Sequence, residues 1–244
     1  MDKPERQFEL LKVIVQEYIR AAHPVSSAQI AEALSIEVSP ATVRNDMADL
    51  EEQGFIHQPH TSAGRIPTEK GYQYYIQHFL KPKELGEKQR RALQQAVHSD
   101  INAQEQKLYK VLQAIADLSN EAVFFSTEGD RPQLLGMSRI FRQPEFMEDR
   151  ELTVRVSEAF DRMDDMMSEF DKVVENERRV LIGSKNPLES DCAVIVTAIS
   201  LPGQPRRMVG IFGPMRMDYD RNVGILDTID EIMNEYYDEP KRLL

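Results

Sequence analysis

Residues 39–75, SPATVRNDMADLEEQGFIHQPHTSAGRIPTEKGYQYY, constrain the fold more than any other stretch of the chain. Ser39 suits a helix N-cap, and Pro40 suits the first helical position, where its missing N–H would be unpaired anyway. Val43, Met47 and Leu50 follow at i, i+4 and i+7, which predicts one stripe facing a core. The opposite face carries Ala41, Thr42, Asn45 and Ala48, with Arg44 on its flank. Those side chains are short, so the helix backbone can approach a partner closely. Gly54 fits the C′ position that ends a helix. Phe55–Gln58 then reads as a short strand, His60–Arg65 as a turn, Ile66 as the start of the return and Thr68 as the cap of the next helix.

The flanking residues extend this pattern. Residues 4–22 predict a first helix, with Phe8, Leu11, Val15 and Tyr18 on one stripe, ended by Pro24. Ser26 and Gln29 form a capping box for a second helix over 27–35, with Ile30 and Leu34 inward. A fourth helix is expected at 69–80. Its Tyr72, Tyr75, Ile76 and Phe79 have helical spacing, which favours core packing over a base-stacking platform. Together these elements fit a winged helix-turn-helix over residues 1–80. Residues 40–53 would enter a DNA major groove, and residues 55–67 would form the wing. An ordinary surface helix followed by a loop fits the same local pattern.

Charge restricts how such a unit could hold DNA. The formal net charge is −11, and residues 1–80 carry 7 Lys/Arg against 11 Asp/Glu. Most of the remaining acid lies in residues 121–244, with 16 Lys/Arg and 25 Asp/Glu. Phosphate contacts must therefore come from a local patch, Arg44, His60, Arg65 and Lys70, and from backbone N–H groups at helix starts. Asp49 and Glu52 are expected on the DNA-facing side further along, tilting that end of the helix away from phosphate. The single Cys192 suits a reducing compartment. The start MDKPERQFELLK has no apolar signal region, and no apolar run approaches membrane-spanning length, so a cytoplasmic location is expected.

After Lys81-Pro82-Lys83, residues 84–120 predict one long linker helix of about 50 Å. Val97, Ile101, Leu108, Val111, Ile115 and Leu118 form a heptad-like seam, interrupted by Gln104. That seam fits a dimerising coiled coil or a helix packed on its own C-terminal domain. Residues 121–244 read as an antiparallel α+β domain with helices on one face. Strands are expected at 122–127, 133–137, 178–183, 191–201 and 206–212, and helices at 150–175 and 219–237.

Ser39–Asn45 and Gln58–Tyr72 closely resemble the heat-inducible transcription repressor family HrcA. Gln143-Pro144-Glu145-Phe146, Ile182–Asn186 and Gly213–Tyr219 look like that family's C-terminal signatures, in the family's order. The resemblance implies a dimeric repressor of chaperone operons that binds an inverted repeat, the CIRCE element. It implies a GroEL-type chaperonin as the partner that keeps the repressor competent, until heat shock diverts it to unfolded clients. It also implies a GAF-like C-terminal domain with a dimerising insertion. Typical members are longer, and the missing part is expected between the long helix and the strand near 133. Dimerisation is accordingly assigned to the heptad seam and the sheet domain.

The DNA-contacting residues expected are Thr42, Arg44 and Asn45 near bases, Ser39 as cap or phosphate contact, and His60, Thr61, Ser62 and Arg65 on the wing. No cofactor and no metal site are expected. Asp161, Asp164, Asp165 and Glu169 have the spacing of a solvated helix face, and Cys192 lies mid-strand as a core thiol, so an enzyme is not expected. The rival class is a winged-helix regulator controlled by a small ligand in the C-terminal domain.

Overall fold

The computed structural model describes residues 3–34, 38–99, 104–127, 132–174, 178–199 and 207–238. The chain divides into two compact units: residues 1–80 with 215–218, and residues 81–214 with 219–244.

The first unit follows the sequence pattern closely. Its elements are α1 (Lys3–Ala21), α2 (Ser27–Ala33), α3 (Pro40–Glu52), β1 (Ile56–His57), β2 (Ile66–Pro67) and α4 (Glu69–Phe79). Leu10, Leu11, Ile14 and Val15 of α1 are fully buried with Ile30, Val43, Leu50 and Ile56. The buried stripe of α1 is thus rotated from the one expected: Phe8 and Tyr18 lie at its edge. Phe8 instead stacks on Tyr74 with centroids 4.5 Å apart. Tyr72 and Tyr75 are buried core residues, not a platform for bases, while Ile76 and Phe79 are half-buried. The capping box of α2 forms between Ser26 and Gln29. Gly54, at φ 76°, ends α3 in a left-handed turn where the Phe55 N–H bonds Leu50 O at 2.9 Å and the Gly54 N–H bonds Glu51 O at 2.9 Å.

The second unit contains α5 (Glu87–Val97), α6 (Gln104–Ser119), β3 (Ala122–Thr127), β4 (Gln133–Leu135), α7 (Met137–Ile140), α8 (Pro144–Glu148), α9 (Arg150–Asp161), α10 (Met163–Val173), β5 (Arg179–Ile182), β6 (Cys192–Ile199), β7 (Arg207–Pro214) and α11 (Tyr219–Asp238). The five strands form an antiparallel sheet in the order β4-β3-β7-β6-β5. Phe124, Val194, Val196 and Phe212 share one face with Val156, Met163 and Phe170 of the helices above them. Val123, Ile195, Val209 and Ile211, on the other face, are also buried. There α11 packs on β6, and α5, α6 and α11 pack on one another.

The expectation of helices on one face is therefore corrected: helices cover both. The cause is readable in Cys192–Ile199 and Met208–Phe212, which are apolar almost throughout and not alternating, as strands covered on both sides are.

The single long helix is also corrected. α5 ends at His98, and α6 begins at Gln104 and packs back on α5. α5, α6 and α11 pack on one another, and Leu93, Ala96, Val97, Leu108, Val111, Leu112 and Ile115 are buried there. The seam assigned to dimerisation lies inside this unit: Val97, Leu108, Val111 and Ile115 are buried, and Leu118 is half-buried. They are not exposed to pair with a second copy. Ile101 lies outside the described residues.

The helix expected over 150–175 breaks at Arg162, whose φ of −107° and ψ of 18° separate α9 from α10. The short helices α7 and α8 had no counterpart in the sequence reading. The C-terminal signature words do structural work: Gln143 donates to the buried Glu121 carboxylate at 2.7 Å, and Phe146 is buried. Asn186 donates to Glu189 O at 2.9 Å and accepts from the Leu188 N–H at 3.1 Å, fixing the turn before β6.

Asp230 of α11 lies beside Arg178, which reaches Asp227 at 2.6 Å and Asp230 at 3.7 Å. Burial, opposed by Arg178 and reinforced by Asp227, pushes the Asp230 carboxyl up from 3.8 to about 6. The native state therefore holds this proton more tightly than the unfolded chain, and this group's contribution to stability falls as pH rises from about 4 to about 6. Asp230→Asn is expected to gain urea midpoint relative to the parent as pH rises through that window. A difference that stays constant with pH contradicts this.

Candidate nucleic-acid interface

Three elements of the first unit build the candidate interface: the start of α2, the outer face of α3 and the loop between β1 and β2. The Ser39 hydroxyl accepts the Thr42 N–H at 3.1 Å and bonds the Thr42 hydroxyl at 3.0 Å, so Ser39 is a helix cap. Ala41, Arg44, Asn45 and Ala48 are exposed on one face of α3, and Thr42 is half-buried at its edge. Arg44 donates from Nε to Ser27 Oγ at 3.3 Å, which draws the guanidinium toward the start of α2.

The loop tip exposes His60, Thr61 and Ser62. Gln58 shapes it from within, donating from Nε2 to the Thr61 and Ala63 carbonyls at 3.0 and 2.8 Å. Gly64 sits where a Cβ would lie 2.3 Å from Val25 O, so only glycine allows the loop to press on Val25, just ahead of the Ser26 cap of α2. Arg65 and Val25 exchange both backbone hydrogen bonds there at 2.9 Å. A cleft of about 390 Å³ runs between α2, α3 and the loop, lined by Ser27, Arg44, Gln58, Ser62 and Arg65 among others.

Electrostatics of α3 differ from the sequence expectation. Arg65 is not at a free tip: its Nε and Nη2 reach Glu51 Oε2 at 2.9 and 2.8 Å. Lys70 donates to Gln53 O at 2.8 Å and lies 4.3 Å over the Phe55 ring, capping the end of α3. Asp49 points to α1 and not to the outer face. Lys3 at 2.7 Å and Gln7 at 2.7 Å hold it, and the Lys3 hydrogen bond keeps its carboxyl below the usual range. Asp46 is buried and bonded by Arg6 at 2.6 and 3.1 Å. Of the two acids expected on the outer side, only Glu52 is exposed.

Three contributors escaped the sequence reading: Ser27, which orients Arg44, and Glu51 and Gln58, which hold the loop. Glu51 offered no motif; only its contacts to residues 58 and 65 distinguish it from Glu52. In the second unit, Asp161, Asp164, Asp165 and Glu169 are exposed on the faces opposite Met163, Met167 and Phe170. Cys192 is fully buried, and burial pushes its thiol well above the usual range.

Residues 70–223 match the family described as HrcA protein C terminal domain, and residues 10–73 match the family described as HTH domain. The chain belongs to the HrcA family. It is 44% identical over 115 residues to the heat-inducible transcription repressor HrcA of Halalkalibacterium halodurans, covering 47% of this chain but 34% of that protein. Against the HrcA of Brevibacillus brevis it is 26% identical over 330 residues, covering 93% of this chain and 96% of the relative. That alignment is longer than the 244 residues of this chain, so the relative has segments without counterpart here. The crystal structure of a hypothetical protein shares the fold, with a TM-score of 0.78 over 95% of this chain and 98% of that chain, at 22% identity. No described helix is long and apolar enough to cross a membrane.

The helix-turn-helix of this HrcA family member is poor in available cations. Among the described Lys and Arg of residues 3–80, five are paired with acids, which leaves Arg44 and Lys70, the latter bonded to the neutral Gln53 carbonyl. Binding to duplex DNA should therefore respond weakly to salt, with a log–log slope shallower than about −3 per protomer. A slope steeper than about −6 per protomer contradicts this charge distribution.

Proposed function

We propose that this chain is a DNA-binding transcriptional repressor of heat-shock (chaperone) operons, acting as a homodimer on an inverted repeat of the CIRCE type. One observation carries the reading: α3 exposes a short polar face, Ala41, Arg44, Asn45 and Ala48, beside an exposed loop tip of His60, Thr61 and Ser62. Small side chains let the helix sit deep in a major groove. Asn45 then meets an adenine edge through both its amide atoms, and Arg44 meets guanine or an adjoining phosphate. The wing residues take the backbone or the minor groove. Ser39 acts through the helix, by capping it.

One such helix reads few base pairs, and the scarcity of available cations leaves little sequence-independent affinity to supplement it. Two copies related by a two-fold axis double the base contacts, and an inverted repeat is the site such a pair fits. The repressor role is supported by family membership and by relatives named heat-inducible transcription repressors. A GroEL-type chaperonin that maintains the competent form belongs to the same proposal and rests on the resemblance.

Gel shifts of the full chain on the inverted repeat, with and without chaperonin, test this reading. A shifted dimer complex that the chaperonin enhances is expected, and no shift on the repeat in either condition contradicts it. Asn45→Ala is expected to cost about 1–3 kcal/mol of specific affinity while leaving binding to a scrambled duplex unchanged. Equal losses on both duplexes contradict a base contact at this position.

A further inference from the structure

β1 and β2 contribute two residues each, paired Ile56 to Pro67 and His57 to Ile66. A ladder this short cannot fix the direction of an eight-residue loop by itself. The loop is held instead by one carboxylate from the recognition helix. Glu51, in the last turn of α3, accepts the Gln58 N–H at 2.9 Å through Oε1. Through Oε2 it accepts Arg65 Nε at 2.9 Å and Nη2 at 2.8 Å. Gln58 leaves β1 and Arg65 precedes β2, so a single side chain grips both arms of the wing. The pair is partly shielded, with Arg65 19% and Glu51 34% exposed. Such shielding strengthens charge-assisted bonds relative to a surface pair.

We propose that Glu51 is a positioning residue for DNA recognition: it clamps the wing to α3, so that helix and wing engage the duplex at one fixed spacing, and Arg65 acts through Glu51 instead of touching DNA. This rests on the DNA-binding reading above and reverses the role assigned to Arg65 from sequence. Loss of either partner frees the wing about the Val25–Arg65 bridge, which remains as its other tie. The helix keeps its own anchors, because Asp46 and Asp49 are held by Arg6 and Lys3.

The test uses the full chain with Glu51→Ala, Arg65→Ala and the two combined. Without DNA, amide hydrogen exchange should quicken by about fivefold at residues 58–65 in Glu51→Ala and stay unchanged in α3. Unchanged exchange at 58–65 overturns the proposal. On the inverted repeat each single substitution should weaken binding by about fivefold, and the combination should weaken it no further. Additive losses show that Arg65 contacts DNA independently and also overturn it. Glu51→Gln, which keeps the shape and one acceptor for Gln58, gives the same two readings if the alanine variant does not fold. Should the parent chain leave the repeat unbound, the functional reading fails, while the exchange experiment still decides whether the clamp exists.

Discussion

A helix proposed to lie against a polyanion is opposed by its own carboxylates, and α3 carries four acids in thirteen residues. Three of the four are tied down within the first unit. Arg6 and Lys3 of α1 take Asp46 and Asp49, and Arg65 of the wing takes Glu51. Each pair neutralises an acid and also ties α3 to a neighbouring element. The outer face is left with Ala41, Arg44, Asn45 and Ala48, and with Glu52 as the one exposed acid near the end of the helix. These pairs take three of the seven Lys and Arg of residues 3–80, and Lys12 and Arg20 pair with acids of α1 itself, so an interface formed here must depend on base edges and on symmetry more than on attraction to phosphate.

The second unit solves a different problem, that of burying a sheet whose central strands are apolar on both faces. α9 and α10 cover one face. α11, α5 and α6 form the other layer. Leu93, Val97, Leu108, Val111, Leu112 and Ile115 of the α5–α6 pair are buried, so most of the heptad seam is covered within the chain itself.

The first unit could be read almost element by element because its signals are local. Ser26, Ser39, Gly54 and Thr68 punctuate helices whose boundaries then follow. What could not be read were long-range pairings. Nothing near Arg65 in the sequence announces Glu51, fourteen residues earlier, and nothing near Asp49 announces Lys3. In the second unit the periodicity of residues 84–120 was real but did not reveal its turn. A heptad stripe is equally satisfied by a partner helix and by the chain's own return. α5 ends at His98 without Gly or Pro at that point. The double coverage of the sheet, by contrast, is legible in the apolar run of β6, which only Thr197 interrupts.

The central claim is that α3 and the wing form one rigid reading head, used twice on a symmetric site. Hydroxyl-radical footprinting of the full chain on the inverted repeat tests it most directly. Two equivalent protected tracts are predicted, symmetric about the dyad and separated by whole turns of the duplex, each with a major-groove centre and a flanking wing contact. A single asymmetric tract, or protection spread evenly along the duplex, would contradict it.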